Sequence, residues 1–249
     1  FIAVSFGACK TMNESTAESV TQTSVPVDEP ITEMSPEEKK ELEELYWKRI
    51  EEAKMNFTQA EVDFMTGMIG HHAQALVMSE LAPKNDASLP VRRLASRIIN
   101  AQKDEIKSMQ GWLKDRNQPV PMVHIDGLNL MIHGMDAQPE NNAPESVHES
   151  THNVHGHGGM DHSSMPGMLT QEQLVELSEA KGKEFDEMFL TYMIQHHTGA
   201  ITMVNDLLNS EKGIQDEAAF KLASEINVDQ RTEIERMHMM LADLSMGEL

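Results

Sequence analysis

The chain has 249 residues and a formal net charge of −21, which argues against nucleic acid and anionic lipid surfaces as partners because both require clustered Lys and Arg. It contains 20 Met but only 1 Cys, so an intrachain disulfide and a metal cage of several thiolates are excluded. Any soft-metal site must therefore use Met and His, within one bundle-sized domain.

The first 34 residues predict an export signal and a tether. An apolar stretch from Phe1 to Ala8 precedes Cys9, and its end resembles a bacterial lipobox. We interpret residues 1–9 as a truncated lipoprotein signal, in which lipidation of Cys9 anchors the chain to a membrane facing the periplasm or the cell exterior. The alternative is a truncated signal with an incidental Cys. Residues 10–34 lack helical periodicity and predict a disordered tether.

Helical periodicity and capping motifs predict an all-α fold of five helices. A polar, peripheral helix occupies segment 35–57, and the bundle occupies residues 58–245. The predicted bundle helices run from about Thr58 to Leu81, Val91 to Arg116, Thr170 to Asn209, with a possible interruption near Gly182, and Asp216 to Leu244. Residues 117–168 have no sustained periodicity and predict a long loop.

The two halves of this region contain the same motif. Phe64–Met78 matches Phe189–Met203 at an offset of 125 residues, sharing Phe-x-x-x-Met-Ile-x-His-His-x-x-Ala-x-x-Met. The following helices match at an offset of 128 residues. Repeat 1 (58–116) and repeat 2 (170–245) therefore predict two helical hairpins that pack as a four-helix bundle.

Each motif places Met and His on the stripe of its helix that we expect to be buried. Thioether, imidazole, carboxamide and carboxylate groups could then converge inside each hairpin. The alternative is that Met fills the core and the His pair makes interhelical hydrogen bonds. The candidate metal ligands in the repeats are Met68, His71, His72, Met78, Glu105 and Met109, and Met193, His196, His197, Met203, Glu233 and Met237.

The doubled motif, with Gln-x-x-Glu-Ile-x-x-Met downstream of each copy, resembles the DUF305 family from about Thr58 to Ser245. This resemblance implies an exported bacterial protein with a ferritin-like helical bundle, and some family members are implicated in copper binding. It also implies that the Met and His residues of both motifs are functional. Two features depart from the family pattern: Glu61 stands where the second copy has the familiar Asp186, and the loop 117–168 is long.

That loop is rich in His and Met and could capture a metal ion. Imidazole accepts zinc, nickel and both copper states, whereas thioether favours Cu(I). Copper, with Cu(I) favoured over Cu(II), is therefore the predicted ion, and Ag(I) or zinc could also bind. The alternative is a low-complexity linker. The loop candidates are His155, His157, Met160, His162, Met165 and Met168.

These patterns predict a copper-binding protein for sequestration, buffering or resistance, and not an enzyme. The metal ion is its expected partner, a membrane is contacted only through the lipid anchor, and no protein partner is indicated. One alternative is a helical interaction module with exposed Met stripes. A ferritin-like di-metal oxidase is less favoured, because Glu235-x-x-His238 is the single helical Glu-x-x-His motif where two are needed.

Overall fold

The structure is a computed structural model that describes residues 34–134 and 165–247. The predicted signal and most of the predicted tether lie outside these residues, as does most of the His/Met-rich loop. Helix α1 (Pro36–Lys54) begins at a proline, carries acidic residues in its first turn and has no buried residue. This agrees with the polar character of its sequence.

Five further α-helices and a short 3₁₀ helix (Ala82–Lys84) follow in the described residues, and the all-α fold class is confirmed. Thr58 and Glu61 form the predicted capping box at the start of α2, and a second box begins α4. The helices are α2 (Gln59–Ser79), α3 (Leu89–Asp115), α4 (Gln171–Glu179), α5 (Gly182–Leu208) and α6 (Glu217–Met246).

The predicted helix from Thr170 to Asn209 is two helices, α4 and α5. The chain leaves α4 at Ala180, and Gly182 adopts a φ of 56°, which a glycine does without steric cost. The Asn85 side chain donates hydrogen bonds to three carbonyl groups at this end of α4, including that of Ala180 at 2.8 Å. The first repeat thus stabilises the break in the second.

Helices α2 and α3 form one antiparallel hairpin, and α5 and α6 form the other. Helix α2 also packs against α5, and α3 packs against α6, so each long helix contacts two others. Two apolar clusters fill the interior. One contains Met78 together with Met193 and Met237, whereas the other contains Met68 and Met109 with Met203 packed against it.

The methionine distribution reveals how the hairpins pack. Met78 and Met203 are equivalent in the two repeats, and each lies among methionines of the opposite hairpin. Both apolar clusters therefore require residues from both repeats. The sequence suggested that thioether, imidazole, carboxamide and carboxylate groups could converge inside each hairpin. The structure differs for the thioethers of Met78 and Met203, which lie among methionines of the other hairpin.

A β-hairpin lies in the segment that the sequence predicted as a loop. Strands β1 (Met122–Asp126) and β2 (Asn129–His133) pair antiparallel, and Gly127 at a φ of 59° opens the two-residue turn. Val123 and Ile132 are partners on the half-buried face. The alternating apolar residues and the Asp-Gly pair were the available signal, and the His/Met-rich composition around them obscured it.

Within residues 34–134 and 165–247, no helix combines the length and apolarity that a bilayer crossing requires.

Candidate metal centre

The four histidines of the repeats are completely buried where α2 and α5 pack together. Successive residues of an α-helix point about 100° apart, so adjacent histidines face different neighbours. On α2, His72 faces α3 and His71 faces α5. The same division occurs on α5, where His197 faces α6 and His196 faces α2.

Each repeat forms a buried imidazole–carboxylate pair. The distance from His72 Nε2 to Glu105 Oε2 is 2.6 Å, and that from His197 Nε2 to Glu233 Oε2 is also 2.6 Å. The second pair is a hydrogen bond, whereas the first has poorer alignment at the same distance. A ring nitrogen this close to a carboxylate oxygen carries the proton, because an unprotonated nitrogen and a carboxylate would repel each other.

The remaining histidines meet between the two hairpins. The ring centroids of His71 and His196 are 3.9 Å apart, and their planes are inclined by 40°. His71 Nε2 lies 3.0 Å from the carbonyl oxygen of Pro166. Since a carbonyl can only accept, Nε2 of His71 is the protonated nitrogen.

These contacts determine which nitrogen of each ring can bind a metal. With the proton on Nε2, the Nδ1 atoms of His71, His72 and His197 carry lone pairs, and none has a hydrogen-bond partner. Both ring nitrogens of His196 are also without partners. Unpartnered buried polar atoms are costly in a folded protein, so these ring nitrogens are not satisfied by a hydrogen-bond network of the core.

Burial keeps the central imidazoles neutral. Desolvation, assisted by the nearby His72, lowers the pKa of His71 to about 3. Desolvation and the nearby His71 lower the pKa of His196 well below its usual value. Both rings therefore carry a single proton and are neutral at neutral pH, which is the form that ligates metals.

The end of the His/Met-rich loop lies against this cluster. We call residues Met165–Leu169 the strap. The Gln74 side chain donates to the Leu169 carbonyl at 3.0 Å and accepts from the Leu169 amide at 2.7 Å, so the strap is held to α2. On α5, a Cβ at Gly199 would lie 1.9 Å from the Pro166 carbonyl oxygen, so this contact requires glycine.

The predicted ligands occupy three kinds of location. Five methionines are fully buried in the two apolar clusters, and Met165, Met168 and Met203 are half-buried. Glu105 and Glu233 contact the histidines. His155, His157, Met160 and His162 lie outside the described residues, as does Cys9. The five buried methionines are Met68, Met78, Met109, Met193 and Met237.

An acidic cleft lies beside the carboxylate of Glu105. It has a volume of about 620 Å³ between α3 and α6, and Asp104, Glu225 and Asp229 also line it. Burial and the neighbouring Glu105 and Glu233 raise the pKa of Asp229. The cleft therefore concentrates negative charge near one imidazole–carboxylate pair.

Known proteins provide an independent comparison. The DUF305 family, described as a domain of unknown function, matches residues 61–241, which is most of the chain. The chain belongs to the DUF305 family. No curated protein gives a significant match.

Two solved DUF305 structures share this fold, and a third solved structure, that of CopM, is also similar to the chain. A DUF305 fragment from Deinococcus radiodurans is 26% identical, with a TM-score of 0.54, and the match covers 75% of this chain and 98% of that one. A DUF305 protein from Streptomyces coelicolor is 23% identical, with a TM-score of 0.54 and coverages of 75% and 94%. CopM in its Cu(II)-bound form is 25% identical, with a TM-score of 0.49 and coverages of 74% and 96%.

The acidic residues that begin the DUF305 repeats have a structural role. Glu61 Oε1 accepts from the amides of Gln215 and Asp216 at the start of α6, at 3.1 and 2.8 Å. Asp186 accepts from the Ser88 amide at the start of α3, at 3.1 and 3.2 Å. The change from Asp to Glu between repeats therefore preserves a helix cap, and neither carboxylate is paired with a histidine.

Sequence reasoning missed the residues that connect this DUF305 chain's loop to its histidines. Gln74 and Gly199 occupy equivalent positions of the two repeats, and both contact the strap. Gln74 contacts it through side-chain hydrogen bonds, whereas Gly199 allows the close approach because it has no side chain. The offset of 125 residues pairs them, but only the folded chain reveals that a backbone segment crosses there. Nothing in the sequence around Pro166 indicated that its carbonyl group contacts His71.

The cluster is not a preformed multidentate site. Among residues 34–134 and 165–247, no three side chains of His, Cys, Asp or Glu are arranged to hold a metal ion. Gln102 and Gln230, equivalent in the two repeats, are buried and have carboxamide atoms without hydrogen-bond partners. Ligation by several imidazoles therefore requires side-chain rotation within a polar interior.

Proposed function

We propose that this protein binds copper, with Cu(I) favoured, through the imidazoles of His71, His72, His196 and His197, and that it sequesters or buffers the metal. The observation that carries the proposal is the set of four buried imidazoles whose Nδ1 atoms have no hydrogen-bond partner. Glu233 is hydrogen-bonded to Nε2 of His197, and Glu105 lies 2.6 Å from Nε2 of His72, so both carboxylates favour the ring form with the proton on Nε2. Such carboxylate–imidazole pairs orient ligands and increase their basicity.

Copper is the preferred ion because of the donors available. Imidazole binds zinc and both copper states, whereas thioethers such as those of the buried repeat methionines favour a soft ion such as Cu(I). Ag(I) is expected to compete for the same donors. The negative charge of the α3/α6 cleft attracts cations to this side of the protein.

The surroundings support binding rather than catalysis. Glu235 and His238, the pair that most resembles a di-metal oxidase motif, are exposed on α6 and away from the core. The five repeat methionines that face the interior, Met68, Met78, Met109, Met193 and Met237, are fully buried and are therefore not available to a partner helix. Export by way of the predicted signal would place the site in an oxidising compartment, where Met and His are more dependable copper ligands than thiolates.

The test is a Cu(I) titration of the 249-residue chain against a competing chromophoric chelator. The double variant His71→Gln/His196→Gln should lose tight binding, and the matched control His124→Gln/His238→Gln, which changes two exposed residues, should keep it. Circular dichroism of each variant establishes that the helices remain folded.

A second variant separates the bundle from the loop. Deletion of residues 147–162 removes five of the loop's seven His and also Met160, but it retains the strap. Tight binding that survives this deletion supports the bundle site, and binding lost only in the deletion variant assigns the principal site to the loop. If the intact chain does not compete for Cu(I), the copper proposal is wrong.

A further inference from the structure

The strap gives His71 and His196, whose rings face each other between the hairpins, different hydrogen-bond environments. It binds Nε2 of His71 through the Pro166 carbonyl, whereas His196, the equivalent residue of repeat 2, has no hydrogen-bond partner. Gln195 also donates to the Gly167 carbonyl, at 3.4 Å. The strap therefore lies on one side of the His71/His196 stack. The two repeats differ there, because the strap is hydrogen-bonded to the ring of His71 and not to that of His196.

Two thioethers converge where the strap passes Gly67, one helical turn before His71. A Cβ at Gly67 would lie 3.4 Å from Met165 Sδ and 3.3 Å from Met203 Cε. Gly67 is in the interior of α2, where glycine costs about 1 kcal/mol relative to alanine. The absent side chain leaves room for the ends of both methionines.

The equivalent place in repeat 2 is closed. Tyr192 stands at the position of Gly67, and its hydroxyl donates to Glu176 of α4 at 2.7 Å. Met78, the equivalent of Met203, is completely buried, whereas Met203 is half-buried. Of these two equivalent places, that at Gly67 thus brings a half-buried methionine of repeat 2, Met203, together with a strap methionine.

We propose that Met165 and Met203 form a thioether pair at Gly67 that binds a soft monovalent cation next to His71. The site lies where the His/Met-rich loop joins the bundle, so it is suited to transfer of Cu(I) between the loop and the buried imidazoles. Thioether sulfur selects soft ions and does not titrate. This inference rests on the proposed copper function, and it adds a site that contains no residue of the four-histidine cluster.

Packing alone gives a different expectation. If both methionines only fill space, leucine should replace them with little effect, because the two side chains have similar volume. A binding pair instead requires sulfur. The distinction can be measured without any enzymatic activity.

The first experiment maps protection of methionine from peroxide oxidation, using the full chain with and without one equivalent of Ag(I) and reading each site by peptide mass spectrometry. Ag(I) should protect Met165 and Met203, because their sulfur lone pairs are then engaged. Met239 of α6, which is 62% exposed, is the internal control and should be oxidised equally in both samples. Oxidation of Met165 and Met203 that is unchanged by bound Ag(I) would overturn the thioether pair.

The second experiment measures Cu(I) affinity in leucine variants by chelator competition. Met165→Leu and Met203→Leu should each weaken the affinity of one site by about tenfold or more, whereas Met239→Leu should not. If all three variants match the unaltered chain and that chain binds Cu(I) tightly, the inference fails while the copper proposal stands. If the unaltered chain binds no Cu(I), the copper proposal itself fails.

A steric variant tests the same site without removing sulfur. Gly67→Ala places a Cβ against both methionine ends and should weaken this site, with restored affinity when a smaller donor, as in Met203→Cys, is combined with it. Gly111→Ala is the control for a glycine replaced within a helix, because Gly111 is exposed on α3 and a Cβ there meets no atom within 4 Å. Equal Cu(I) affinities of Gly67→Ala and Gly111→Ala would contradict a site at Gly67.

Discussion

At the scale of single residues, the two adjacent histidines of each repeat make different contacts, because successive side chains of a helix point in different directions. His72 and His197 each contact a carboxylate on the partner helix of the same hairpin. His71 and His196 instead stack across the two hairpins with no carboxylate. The rings of His72 and His197, the outer histidines, are therefore oriented by carboxylates. The rings of His71 and His196, the central histidines, are kept neutral by burial.

The depressed pKa of His71 predicts acid sensitivity. Its folded-state pKa is about 3, and that of an unfolded histidine is about 6.5. Between these values the unfolded chain binds more protons, so stability falls as the pH is lowered. His71→Gln should reduce the pH slope of the unfolding free energy by about 1.4 kcal/mol per pH unit in this window.

Urea unfolding at a series of pH values between 7 and 4 measures this slope. His238→Gln is the control, because His238 is exposed and its replacement should leave the slope unchanged. A slope in His71→Gln equal to that of the unaltered chain would show that His71 takes up its proton before unfolding.

The carboxylates that contact the outer histidines are expected to tune metal affinity. Glu105→Gln and Glu233→Gln retain the side-chain shape but remove the charge that stabilises the Nε2-protonated ring. Each should lower Cu(I) affinity by about 10- to 100-fold, as loss of an outer partner typically does. Chelator competition measures this, with Asp104→Asn and Glu225→Gln as charge-matched controls on the same helices. Equal losses in all four variants would indicate a general charge effect.

At the scale of the helices, each hairpin caps the other. Glu61 of α2 accepts from the amides of the two residues that precede α6, and Asp186 of α5 accepts from the Ser88 amide before α3. The amides at a helix start have no partner within the helix, so a carboxylate there also complements the helix dipole. These caps couple the start of one hairpin's second helix to the first helix of the other hairpin.

Removal of one cap should loosen one helix start. Asp186→Ala leaves the Ser88 amide without its acceptor and should cost about 1–3 kcal/mol of stability. Amide hydrogen exchange should accelerate in the first turn of α3. Glu187→Ala, which alters an exposed neighbour, is the control for urea unfolding and exchange. Unchanged exchange at the start of α3 would mean that another group replaces the carboxylate.

The helices could be predicted from the sequence because their signals are local. Apolar periodicity and the capping boxes at Thr58 and Thr170 placed the helix starts, and the repeat implied two hairpins. The pairing of Asp186 with Ser88 and of His71 with Pro166 could not be predicted, since these contacts join residues 98 and 95 positions apart. Such contacts depend on how the hairpins pack, which no local pattern specifies.

At the scale of the whole bundle, the two repeats share both apolar clusters. Met78 packs with Met193 and Met237 of the other hairpin, and Met203 packs in turn against Met68 and Met109. The histidine stack lies between the hairpins as well. A single hairpin would therefore expose half of each apolar cluster and lose the ring that faces its central histidine.

Because both apolar clusters are built from residues of both repeats, we predict that neither repeat folds alone. A fragment of residues 56–118 should be poorly helical and melt without cooperativity, because an isolated hairpin keeps only part of each apolar cluster, and packing supplies most helix stability. Mixing it with a fragment of residues 165–247 should restore helical circular dichroism and a cooperative melt, with a 1:1 complex in sedimentation. The intact chain gives the reference signal. Cooperative melting of the 56–118 fragment as a monomer would show that one repeat contains a sufficient core.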